Sequence, residues 1–185
     1  NPSIETLREA IALGKEKSCN FVLAVGGGSV IDGSKLIAAA IPYEGDAWEL
    51  VLNKSLKNGF TLPLATVLTI PATGSEMNTK EKLAFYTKTP LFSILDPQTT
   101  YSLPKFQIAC GLADTFVHVL EQYLTTPKQS ALMDRWAEGI LTTIVEIAPK
   151  ILENQEDYDT MADFMLSATM ALNGFISMGV TQDWS

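Results

Sequence analysis

The sequence is poor in the residues that usually announce a function. It holds one histidine, His118, and two cysteines, Cys19 and Cys110, in 185 residues. Two cysteines without metal-type spacing are too few for a disulfide framework, so a reduced, cytoplasmic chain is expected. No unbroken run of about 18 apolar residues occurs, and no charged-then-apolar leader marks the first residues, so no membrane partner is indicated. Basic residues are scarce: 13 Lys and Arg stand against 21 Asp and Glu, for a net charge of −8. That balance argues against nucleic acid and against anionic surfaces. What is plentiful is apolar: 46% hydrophobic residues suffice for one or two cores.

Periodicity divides the chain. Ser3 can cap a helix running to about Lys17, with Glu5 in its first turn and Ile4, Leu7 and Ile11 on one face. The apolar run Phe21-Val-Leu-Ala-Val25 reads as a buried parallel strand, and Val30 to Ile41 resumes a helical pattern. Residues 42–60 read as mostly loop. Strands are expected over 64–70 and near 92–95, and helices near 105–124, 128–152 and 157–178. In the last two helices Met133, Trp136, Ile140, Ile144 and Ile147, and then Met161, Met165, Ala168, Leu172 and Phe175, recur at helical spacing and read as core. Cys110 is expected at a packed helix start. The fold class is therefore α/β with a parallel sheet over residues 1–103, followed by an all-α part over 104–185.

Two stretches follow predicted strands. Gly26-Gly-Gly-Ser29 joins a strand to a helix, where glycines admit close approach of a phosphate and the helix N-terminus offers N–H groups and a positive dipole end. Asp32 lies in the first turn of that helix. The same four residues would equally make a tight strand–helix turn with a capping serine. Thr69-Ile-Pro-Ala-Thr-Gly-Ser75 follows the next strand, at the end where open parallel sheets bind ligands. Its hydroxyls can serve a phosphate, a ribose or a nicotinamide amide, or simply a Ser/Thr-rich turn. Asp114 and His118, four residues apart, occupy one helix face and could close on one divalent cation or bond to each other across a turn.

Taken in order, Ala24-Val-Gly-Gly-Gly-Ser-Val-Ile-Asp32, Pro71-Ala-Thr-Gly-Ser-Glu76, Leu95-Asp-Pro97 and Asp114-x-x-x-His118 closely resemble the iron-containing (group III) alcohol dehydrogenases. Phe116-Val-His-Val-Leu-Glu-Gln-Tyr123 and Gln182-Asp-Trp184 are similar to their butanol dehydrogenase branch, which includes NADPH-dependent aldehyde reductases. The resemblance implies a dehydroquinate synthase-like architecture: a nucleotide-binding α/β domain, then a helical domain holding one divalent metal, Fe²⁺ or Zn²⁺. It implies NADP or NAD as cofactor, NADP being favoured by the branch, a small alcohol or aldehyde as substrate, and a homodimer. By position, Gly27, Gly28 and Ser29 would hold the pyrophosphate, with Asp32 in the same signature. Thr69, Thr73 and Ser75 would line the cofactor site, Lys82 would lie near the ribose, and Asp114 and His118 would be metal ligands.

The resemblance also implies two histidine ligands beyond Ser185, an earlier strand-rich segment, and a longer connection where Asn78 here leads almost directly to Lys82. Both domains are thus expected to be incomplete. The expected activity is reversible hydride transfer between NAD(P)H and an aldehyde or primary alcohol, the metal polarising the substrate oxygen. A glycerol dehydrogenase-like or dehydroquinate synthase-like enzyme is the alternative within catalysis. A non-catalytic nucleotide-binding fragment, or a helical half serving mainly as an assembly interface, is the alternative outside it.

Overall fold

The structure, a computed structural model, describes residues 3–53, 60–78, 88–125 and 130–178. The chain forms two compact units, Asn1–Leu68 with Ser75–Ile94, and Thr69–Gly74 with Leu95–Ser185.

In the first unit, helix α1 (Ile4–Glu16) begins where expected because Ser3 caps it: the Ser3 hydroxyl accepts from the Thr6 N–H at 3.3 Å. Strand β1 (Val22–Gly27) passes directly into helix α2 (Gly28–Ala40). Leu7 and Ile11 of α1 pack with Leu36, Ala39 and Ala40 of α2. The same cluster takes in Ala47, Leu50 and Val51, which belong to a helix that periodicity did not reveal, α3 (Ala47–Leu52). Six residues are too few for a 3.6-residue repeat to declare itself. The local signal was the cap: Asp46 accepts from the Trp48 N–H at 2.9 Å and also receives both Nε and Nη2 of Arg8 at 2.9 Å.

Strand β2 (Leu64–Ile70) is central in a sheet of order β1-β2-β3, where β3 is Ser93–Ile94. β2 and β3 run parallel, with Thr66 opposite Ser93 and Val67 opposite Ile94. β1 departs from the expectation of a fully buried strand. Ala24 is 1% exposed, but Leu23 and Val25 are more than half exposed. The reason is alternation: Leu23 and Val25 share the face opposite Ala24, and among the described residues that face of β1 is not covered.

The second unit holds three long helices, α4 (Lys105–Thr125), α5 (Ala131–Glu153) and α6 (Tyr158–Leu172). Their apolar stripes meet in one core of Ile108 and Leu112 from α4, Ile144, Ile147 and Ile151 from α5, and Met161, Phe164 and Ala168 from α6. Each of the larger side chains, Ala168 excepted, contributes about 1.5–3 kcal/mol relative to exposure. Two expectations need correcting. Cys110 is exposed, because Ile108, Gly111 and Leu112 occupy the inward face of α4. Helix α6 stops at Leu172 rather than near 178. There the Asn173 side chain accepts from the Phe175 N–H at 2.9 Å, and Gly174 turns the chain at φ +91°. Phe175 then lies against Trp136 with ring centroids 4.1 Å apart.

Candidate active site

The glycine-rich stretch contains no separate turn. Gly26 and Gly27 complete β1, and Gly28 and Ser29 open α2. Gly27 is the N-cap residue and supplies no side-chain cap, and the first turn carries no acidic residue. The first N–H groups of α2 stand at the positive end of the helix dipole with no cap from the Gly27 side. Asp32 is buried one turn further on, at 4% exposure. These features fit a diphosphate: main-chain donors without a competing carboxylate at the helix mouth.

The segment after β2 is divided between the units. Thr69 and Thr73 group with the helices, whereas Ser75 begins a short 3₁₀ turn, Ser75–Met77, in the first unit. Two close approaches seat residues 69–74. Gly74 adopts φ +59°, and a Cβ there would meet Leu172 Cβ at 2.9 Å. A Cβ on Gly111 of α4 would lie 2.5 Å from the Pro71 carbonyl oxygen. Thr69 and Thr73 thus flank a proline pressed against α4 three residues before Asp114. Lys82 lies outside the described residues.

On α4, His118 is buried, at 5% exposure, and Asp114 is half-buried. His118 Nε2 stands 3.4 Å from Asp114 Oδ1, and His118 Nδ1 is buried without a hydrogen-bond partner among the described residues. A separation of 3.4 Å is long for a hydrogen bond. It equals the edge of a tetrahedron whose metal–ligand bonds are about 2.1 Å, the bond length of imidazole and carboxylate to zinc. The pair therefore fits two corners of a divalent-metal site. Among the described residues no group of three His, Cys, Asp or Glu assembles. Around the pair, Thr115 Oγ1 donates to the Gly111 carbonyl at 2.8 Å, and Gln122 Nε2 donates to the carbonyls of His118 at 2.7 Å and Ala171 at 2.8 Å, the last bond tying α4 to α6.

Several of these residues escaped the sequence reading. Gln122 could have been found as the polar residue one turn past His118 on a buried face, and Gly111 as the small residue one turn before Asp114. Lys35 could have been noticed as the only charged residue among the alanines and isoleucines of α2 that follow Asp32. It is fully buried.

Against family profiles, residues 1–97 match the iron-containing alcohol dehydrogenases, and residues 108–185 match the C-terminal part of the Fe-containing alcohol dehydrogenase family. The chain belongs to the iron-containing alcohol dehydrogenase family. It is 46% identical to the NADPH-dependent aldehyde reductase YqhD of Escherichia coli K12, over all of this chain and 51% of that protein. It is 42% identical to a probable NADH-dependent butanol dehydrogenase of Bacillus subtilis, over all of this chain and 50% of the relative. The fold agrees. The crystal structure of E. coli YqhD superposes with a TM-score of 0.91 at 45% identity, covering 100% of this chain and 51% of that one. NADH-dependent butanol dehydrogenase A of Thermotoga maritima superposes with a TM-score of 0.88 at 35% identity, covering 98% and 48%. The chain spans about half the length of the curated relatives it matches. The parallel β2–β3 pair with its helices, followed by the helical unit, is the α/β-then-α architecture of this family.

Proposed function

We propose that the complete protein reversibly interconverts an aldehyde and a primary alcohol, using NADPH or NADH and one divalent metal. The observation that carries this reading is the likeness, over the whole chain, to an aldehyde reductase and to butanol dehydrogenases. We assign residues 1–103 to the dinucleotide and residues 104–185 to the metal.

In this reading Gly27, Gly28 and Ser29 bind the pyrophosphate through the uncapped start of α2, and Asp32 braces that turn from below. Thr69, Thr73 and Ser75 line the cofactor site with hydroxyls, and Lys82 is its neighbour near the ribose. The bound nicotinamide supplies or accepts the hydride. Asp114 and His118 hold the metal from one face of α4, where their four-residue spacing sets the two side chains one turn apart. Such a metal supplies Lewis-acid polarisation of the substrate oxygen. The protein is proposed to be a cytoplasmic homodimer without nucleic-acid or membrane partners. Support for the last point is the net charge of −8 and the absence, among the described residues, of a helix long and apolar enough to cross a membrane.

The test is oxidation of NADPH and of NADH by the full-length protein with butyraldehyde, followed by loss of nicotinamide absorbance. Turnover should vanish on chelation and return with Fe²⁺ or Zn²⁺. Turnover that survives exhaustive chelation would remove the metal from the proposal, and neither turnover nor dinucleotide binding would overturn it.

A further inference from the structure

Lys35 is fully buried, an expensive place for an ammonium group. Its Nζ donates to the backbone carbonyl of Asn78 at 3.1 Å and to Asn78 Oδ1 at 3.2 Å. Asn78 follows the 3₁₀ turn Ser75–Met77, so one side chain of α2 grips the far end of that turn through two acceptors on a single residue. The near part of the turn is held from the sheet. Thr66 Oγ1 and Ser93 Oγ, on directly opposed residues of β2 and β3, lie 2.8 Å apart, and Ser93 Oγ donates to the Glu76 carbonyl at 2.6 Å. Ser75, Glu76 and Asn78 are all buried within this frame.

Lys35 and Gly28 are seven residues apart, two turns of α2, so they share one face of the helix. The helix that presents the glycine mouth is thereby tied to the Ser75–Met77 turn. We propose that Lys35 is a positioning residue for the dinucleotide: it sets the Ser75–Asn78 turn at a fixed place relative to the start of α2. This rests on the dehydrogenase reading above and adds to it a residue that touches neither substrate nor metal. A charge is suited to the task because hydrogen bonds from an ionised donor are about twice as strong as neutral ones, and stronger still away from water.

The experiment uses full-length protein, as wild type, Lys35→Met and Asn78→Ala. Methionine keeps most of the volume of lysine and removes the donor. Dinucleotide Kd is read by nicotinamide fluorescence, together with KM for the dinucleotide, kcat at saturating dinucleotide, KM for butyraldehyde and bound metal. Lys35→Met is expected to raise dinucleotide Kd and KM about tenfold or more, the size of one lost charged hydrogen bond, while kcat, aldehyde KM and metal content stay within about twofold. Asn78→Ala removes one of the two acceptors and should move the same constants in the same direction by less. If Lys35→Met does not fold, Asn78→Ala decides alone. Unchanged dinucleotide binding in a folded variant would overturn the positioning role and leave the dehydrogenase reading intact. A fall confined to kcat would also overturn it. Failure of the wild type to bind either dinucleotide would overturn the dehydrogenase reading, and the role of Lys35 with it.

Discussion

At Gly111 two opposing effects can be weighed. Alanine is preferred to glycine inside a helix by about 1 kcal/mol, so on propensity alone Gly111→Ala would stabilise α4. The new Cβ would stand 2.5 Å from the Pro71 carbonyl oxygen and 3.2 Å from Phe164 Cζ. The first contact is backbone and cannot swing away, and overpacking of this kind costs roughly 1–3 kcal/mol. The clash should win, since its nearest atom is backbone: Gly111→Ala is expected to lower stability by up to about 2 kcal/mol, measured as a lower urea midpoint at unchanged slope. A raised midpoint would mean that residues 69–74 are not pressed against α4 as described. The sequence marks Gly111 only as a small residue one turn before Asp114, and does not show what presses against it. The spacing of Asp114 and His118 was legible; the carbonyl that makes Gly111 necessary comes from forty residues upstream.

The starts of α1, α3 and α6 carry side-chain caps, and α6 offers a test. Asp157 accepts from the Thr160 N–H at 2.8 Å, and bonding to the Thr160 hydroxyl, then to that N–H, holds its carboxyl below the usual value. A carboxylate with a depressed folded pKa stabilises the native state above the ordinary carboxylate range and loses that contribution as pH falls through the folded value. Asp157→Ala should therefore lower Tm at neutral pH, and the gap to wild type should narrow as pH falls below about 4. A gap independent of pH would show that the cap acts without its charge. Among the elements themselves, α4, α5 and α6 were legible because about four or more turns of apolar spacing have one consistent reading. Helix α3 was not, being shorter than two turns. The exposure of β1 was not legible either, since an apolar run says that a segment prefers burial and not whether neighbours cover both sides.

Across the whole chain, the glycine mouth of α2 and the Asp114–His118 pair belong to different compact units. Loss of one ligand function should thus leave the other standing. In the full-length protein His118→Ala is expected to lose bound metal and to reduce turnover about 10²-fold or more, with dinucleotide Kd unchanged within about twofold. Metal retained at wild-type stoichiometry would remove His118 from the ligand set. Loss of dinucleotide binding as well would show that the two functions are not separable in this way. By itself the sequence determined the family, the order of elements and the identity of most proposed site residues. Those depend on local spacing and on short motifs, which survive being read as a string. Only the tertiary structure decided that Thr69 and Thr73 sit with the helices while Ser75 sits with the sheet. It alone placed His118 Nε2 a tetrahedral edge from Asp114 Oδ1, and closed Lys35 onto Asn78. Those contacts join residues up to forty-three positions apart, or depend on side-chain rotamers within one turn, and neither kind of distance is encoded by local pattern.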